Sequence, residues 1–87
     1  MAVFNFLKKD VAFKAIENEL QVNPYYKRID MPKPIYVKVD NLNSKTKMVE
    51  WHNQYTSNVL GVLDFANTHK HLESDDEILE AMELFDE

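Results

Sequence analysis

The 87-residue sequence contains no cysteine and only one glycine, and these two shortages exclude several kinds of site. Without cysteine the chain forms no disulfide, thiolate nucleophile or cysteine-ligated zinc centre. A single glycine cannot supply the glycine-rich loop that cradles phosphate groups, and no serine lies in a nucleophile-elbow motif. We therefore expect neither an enzymatic activity nor a cofactor.

Long apolar runs are also lacking. No run approaches the roughly 20 residues that cross a bilayer, and Met1-Ala2-Val3-Phe4 does not resemble a secretion signal. These features predict a cytoplasmic protein without membrane contact. A hydrophobic fraction of 45% over 87 residues is typical of one globular domain, so we assign residues 1–87 to a single domain.

Basic residues are nearly absent from the second part of the chain. Residues 1–50 carry nine Lys/Arg and six Asp/Glu, whereas residues 51–87 carry one and nine. This asymmetry favours self-association or steering toward a basic partner surface. It argues against a general affinity for nucleic acid, which we expect to be an unlikely partner.

The most acidic segment lies at the end, where Glu73 to Glu87 hold eight carboxylates and no basic residue. Ser74 and Glu77 have capping-box spacing, which predicts a helix over residues 75–86. Its apolar and acidic side chains together favour an apolar groove with a basic rim on a larger protein. The predicted partner-binding residues are Asp75, Asp76, Glu77, Ile78, Leu79, Glu80, Met82, Glu83 and Phe85.

Two other interpretations of this acidic helix are open. Its apolar stripe is also the pattern of a helix that docks on its own core, with the carboxylates in solvent. Alternatively, carboxylates spaced along a helix imitate the phosphate row of a nucleic acid and occupy the site of a nucleic-acid-binding protein.

A second, longer helix is predicted over residues 44–70, because its apolar positions follow a three-and-four spacing. These positions are Met48, Trp51, Tyr55, Val59, Val62, Leu63 and Ala66. An N-terminal helix near residues 10–22 is predicted with Asp10 as its cap. Residues 2–7 fit either an extension of this helix or a strand.

Residues 34–40 give the one clean period-two pattern, and they predict a strand. A solitary strand leaves its backbone groups unpaired, so it needs residues 2–7, a second copy or another protein beside it. The expected fold is therefore mainly α, a small three-helix domain with a long central helix and one short β-segment. It becomes α+β if residues 2–7 pair with 34–40, and a homo-oligomer is expected if two copies pair through 34–40.

An alternative function is nucleic-acid binding through a basic and aromatic loop at Tyr25, Tyr26, Lys27 and Arg28, whose rings could stack on bases. The three histidines do not have the spacing of metal ligands, and we expect no metal site. An enzyme would need a pocket around a perturbed His52 or His69. The composition suits a phage or mobile-element accessory protein, such as an inhibitor of host machinery or an assembly factor.

Overall fold

A five-stranded antiparallel sheet, and not a helical bundle, organises the chain in this computed structural model, which describes residues 2–33 and 35–85 and side chains from Lys9 onward. The elements are α1 (Ala2–Leu20), β1 (Tyr25–Arg28), β2 (Ile35–Asn43), β3 (Met48–His52), β4 (Ser57–Gly61), α2 (Val62–Thr68), β5 (His69–His71) and α3 (Asp75–Phe85). The strand order is β4-β3-β2-β1-β5. The fold is α+β, so the prediction of a mainly α, helical domain was wrong.

The predicted central helix over residues 44–70 is replaced by β3, β4, α2 and β5. The apolar positions that suggested a helix also fit short strands with a period of two. In β3, for example, Val49 and Trp51 are buried, while Glu50 between them is exposed. β-branched and aromatic residues favour this pleated arrangement. Gly61, which we expected inside the helix, lies at the junction where β4 ends and α2 begins.

Asparagine side chains hold the β2–β3 and β3–β4 turns of the sheet. Asn43 Oδ1 accepts hydrogen bonds from the backbone N–H groups of Lys45 and Thr46 in the β2–β3 turn. Asn53 Oδ1 accepts from Tyr55 and Thr56 at 2.8 and 2.9 Å in the β3–β4 turn. Such local bonds offer the backbone an alternative to a helix, and they explain why the chain reverses at these positions.

Replacing Asn53 with alanine is expected to destabilise the fold by about 1 kcal/mol, because two turn N–H groups lose their acceptor. Asn53→Asp retains an acceptor oxygen and should remain close to the wild type. The neighbouring Gln54→Ala is the matched surface control. Urea unfolding of the three variants measures these differences, and equal losses for Asn53→Ala and Gln54→Ala would show that the side-chain bonds do not hold the turn.

The N-terminal helix is longer than predicted, since α1 begins at Ala2 and ends at Leu20. Residues 2–7 are therefore helical and do not pair with β2. A helix was correctly predicted in this part of the chain, but both of its predicted bounds, 10 and 22, were wrong. Asn23 and Pro24 follow the end of α1, because a residue before proline is disfavoured in a helix.

The main core lies between one face of the sheet and the helices α1 and α2. Its buried members are Ile16, Tyr26, Val37, Val39, Val49, Trp51, Val62 and Phe65. The Tyr26 hydroxyl donates to Glu19 Oε1 at 2.9 Å and ties α1 to β1. Burial, and then the bond to this carboxylate, raise the pKa of Tyr26 well above its usual range, so the phenol stays protonated.

The sheet curls around this core. α2 connects the edge strands β4 and β5, and the chain from Gly61 to His69 rises only about 12 Å at helical geometry. Four strand spacings in a flat sheet would separate these edges by about 19 Å. An extra residue, Asp40, interrupts the β2–β3 register between Val39 and Asn41, and such a bulge increases the local bend.

β2 lies in the middle of the sheet and finds its partners within the chain. The predicted strand over 34–40 is observed from Ile35 and continues to Asn43, while Pro34 lies outside the described residues. Residues 35–38 pair with β1, and Lys38 onward pairs with β3. A homo-oligomer through residues 34–40 stays a prediction, but pairing with a second copy is not needed to satisfy this strand.

Candidate protein-binding surface

α3 docks on the sheet face opposite the main core. Ala81 is fully buried and forms a second cluster with Tyr25 and Leu72, against which Ile78 and Phe85 also pack. Because side chains alternate along a strand, Tyr25 faces α3 while the adjacent Tyr26 faces α1 and α2. The interpretation that the apolar stripe docks on its own fold is thus correct for Ile78 and Phe85, although the support is the sheet and not a central helix.

Two acidic side chains of α3 reinforce this docking. Glu77 accepts a hydrogen bond from Lys27 Nζ at 2.7 Å, and both side chains are about 30% exposed. Glu80 accepts a longer bond, 3.3 Å, from the Tyr36 hydroxyl. Burial and the nearby Glu80 carboxylate raise the pKa of Tyr36, so its hydroxyl remains a donor. These two carboxylates therefore act within the fold.

The opposite side of α3 is an exposed acidic ridge, which we define as Asp75, Asp76, Leu79, Met82 and Glu83. At about 100° per residue these positions occupy an arc of about 120°. Leu79 is 58% and Met82 41% exposed, and the three carboxylates are also exposed. The acidic ridge therefore presents two apolar side chains flanked by negative charge.

The structure divides the nine predicted partner-binding residues into two groups. Five form the acidic ridge, and the other four, Glu77, Ile78, Glu80 and Phe85, contact the sheet or its side chains. Spacing alone did not separate these groups, because the position of the sheet decides which side of the helix is covered. Asp86, the last residue of the predicted helix, lies outside the described residues.

The basic and aromatic residues predicted as a loop form β1 instead. Tyr25 and Tyr26 are 5% and 2% exposed, which leaves little ring surface for stacking on a base. Lys27 pairs with Glu77, and Arg28 Nε lies 2.6 Å from Asp30 Oδ1. The pairing with Arg28 lowers the pKa of Asp30 and keeps it charged. Each of the four side chains is thus buried or paired within the fold.

The histidines do not form a common centre. His69 is buried against Phe65, with ring centroids 4.3 Å apart, whereas the His52 ring contacts Phe85 on the other face. His71 Nε2 lies 3.0 Å from the carbonyl oxygen of Asn23. Across residues 2–33 and 35–85, no three His, Asp or Glu side chains are placed to hold a metal ion.

An Asp–His pair was not anticipated from the sequence. His52 Nδ1 lies 2.9 Å from both carboxylate oxygens of Asp40, the bulged residue of β2. Ser57 is opposite His52 in the β3–β4 register. Activating a serine requires its hydroxyl within hydrogen-bond reach of the imidazole, and within the described part of the chain Ser57 makes no such bond. Asp40 and His52 therefore form a cross-strand hydrogen bond between β2 and β3.

A groove of about 590 Å³ lies where β3 stops beside β2. We call it the β2-edge groove; its lining includes Met31, Lys33, Ile35, Tyr36, Tyr55 and Leu84. These residues come from two loops, from β2 and from α3, and together they span residues 31 to 84 of the sequence. No local pattern could have identified the groove, because it depends on the register at which β3 turns away.

Comparisons with protein families, curated proteins and solved structures find no match to this chain. In the part of the chain that the structure describes, no helix combines the length and apolarity needed to span a membrane. The exposed surfaces of the fold are therefore the basis for assigning a function.

Proposed function

We propose that the protein is a non-enzymatic interaction module that binds a larger protein through the acidic ridge of α3. The observation that carries this proposal is the exposure of Leu79 and Met82 on a helix whose other apolar side is already docked. Two neighbouring apolar side chains on a supported helix can enter a groove without a large loss of conformational entropy.

The flanking carboxylates specify the chemistry of the partner. Asp75, Asp76 and Glu83 lie around Leu79 and Met82 and leave the ridge with no positive charge of its own. A basic rim around an apolar groove would complement this surface and would accelerate association. We propose that this binding takes place in the cytoplasm. We also propose that the protein has an accessory role, as an inhibitor or an assembly factor.

The test begins with capture of partners on the intact chain from a lysate of the organism that encodes it, followed by affinity measurement with the purified partner. Leu79→Ser combined with Met82→Ser should weaken binding at least about 30-fold, because buried apolar anchors dominate such interfaces. Asp76→Lys combined with Glu83→Lys should weaken it about 10-fold, mainly through slower association.

The matched control is Val11→Ser combined with Val59→Ser, because these side chains are 65% and 45% exposed and belong to α1 and β4. All variants change exposed residues and should retain their stability within about 0.5 kcal/mol. Glu80 is left unchanged because its carboxylate bonds to Tyr36. Equal affinity of the control and ridge variants, or the absence of any stoichiometric partner, would contradict the proposal.

A further inference from the structure

The β2-edge groove contains an interrupted sheet edge. β1 pairs with β2 from Ile35 to Lys38, but β3 first pairs with β2 at Lys38, opposite His52. The chain then turns away through residues 53–56, so no described strand lies beside Ile35, Tyr36 and Val37 on this side. The sheet therefore has a vacant strand position over about three residues of β2.

The register shows which backbone groups face this position. The N–H of Val39 donates to the carbonyl oxygen of Pro24, so the groups of Val39 face β1. Because backbone groups alternate along a strand, those of Val37 and Ile35 also face β1 and those of Tyr36 face the opposite side. The N–H and C=O of Tyr36 thus point toward the β2-edge groove, where an extended segment could satisfy both.

Apolar side chains surround this stretch of backbone. Met31, Tyr55 and Leu84 line the groove, and they are 44%, 78% and 43% exposed. An added strand would project alternate side chains toward the two sheet faces, as strands do. The groove thus offers both main-chain hydrogen bonds and apolar contacts, the two components of recognition by strand addition.

The charge of the lining indicates the character of the added segment. Lys33 is the one charged side chain among the described lining residues, and it lies just before β2 begins. An antiparallel segment would continue in the direction of β3, and its C-terminal side would therefore approach Lys33. A carboxylate at that position would complement the ammonium group.

We propose that the β2-edge groove binds an extended peptide segment of a partner protein, antiparallel to β2, with alternating apolar side chains and an acidic residue on its C-terminal side. This second interaction surface is independent of the acidic ridge, since its hydrogen bonds come from Tyr36 and its charge is positive rather than negative. A small apolar molecule is the competing occupant, because the volume lies within the range of about 300 to 1,000 Å³ for ligand pockets.

The test is selection of a random library of linear heptapeptides against the intact protein, followed by affinity measurement with the enriched sequences as synthetic, end-blocked peptides. Met31→Asp and Tyr55→Asp should each weaken binding at least about 30-fold. Val22→Asp is the control, since this exposed valine is 76% accessible and outside the groove. Binding should also protect the Tyr36 amide from hydrogen exchange, which an apolar ligand without a backbone would not do.

A charge exchange tests the direction of the bound segment. Lys33→Glu should weaken the acidic peptide about fivefold and should favour a peptide whose acidic residue is replaced with lysine. Failure to enrich any groove-dependent sequence would overturn the proposal, as would binding that leaves the Tyr36 amide unprotected. Peptides that no longer bind the Leu79→Ser and Met82→Ser variants but still bind Met31→Asp would overturn it as well. Such peptides would support binding through the acidic ridge.

Discussion

Replacing Phe65 with alanine is expected to lower the free energy of unfolding by about 3–5 kcal/mol. Phe65 is fully buried on α2, where its ring meets Tyr26 edge-on and stacks on His69. α2 has only seven residues, too few for a helix to be stable alone, so its position depends on this packing. A small domain has about 5–15 kcal/mol of stability in total, and the variant should be partly unfolded at moderate temperature.

Asn67→Ala is the matched control on the same helix, because Asn67 is exposed and its substitution should change stability by less than about 0.5 kcal/mol. Chemical unfolding followed by circular dichroism measures both. A loss below about 1 kcal/mol for Phe65→Ala would indicate that α2 does not close the core as described.

Lowering the pH from 7 to 5 is expected to destabilise the protein by about 2 kcal/mol through His69 alone, and by about 3 kcal/mol at pH 4. Burial lowers the pKa of His69 from 6.5 to about 4, so the folded state keeps its imidazole neutral over this interval. The unfolded chain takes up the proton near pH 6.5 and therefore binds more protons below it. Stability consequently falls as the pH drops.

The surroundings of His69 explain this penalty. Its Nδ1 lies 2.8 Å from Thr68 Oγ1, but its Nε2 is buried without a hydrogen-bond partner in the described part of the chain. A second proton on the ring would place a charge in this buried site, and the Phe65 carbonyl and the Asp30 carboxylate offset only part of the cost of burying it. His69→Phe preserves an aromatic ring against Phe65 and should remove most of the slope between pH 7 and 5. Parallel slopes for His69→Phe and the wild type would show that other groups cause the loss.

The sequence predicted the helices and the strand that have strong local signals. The capping box at Ser74 and Glu77 places the start of α3 at Asp75, as observed, and the alternation from Ile35 to Val39 identifies β2. The prediction failed between residues 44 and 70, where the same apolar positions fit both one long helix and the shorter elements that follow two turns. The asparagine turns decide between them, because they reverse the chain before a helix can propagate.

The candidate surfaces were predictable only in part. Charge and periodicity marked α3 as acidic and amphipathic, but they placed Phe85 with Leu79 on a partner-binding side. The sheet covers Phe85 and leaves Leu79 exposed, a distinction that requires the tertiary arrangement. No pattern in the sequence indicates the β2-edge groove, because the groove exists only where β3 ends opposite Lys38 of β2.

Binding through the acidic ridge is measured by titrating methyl-labelled protein with its purified partner and following the NMR signals of Leu79 and Met82. If the acidic ridge is the binding surface, their methyl signals should shift or broaden in proportion to the bound fraction, while those of Val11 and Val59 stay unchanged. Unperturbed Leu79 and Met82 signals at saturation, with shifts elsewhere on the surface, would show that the partner binds another part of the protein.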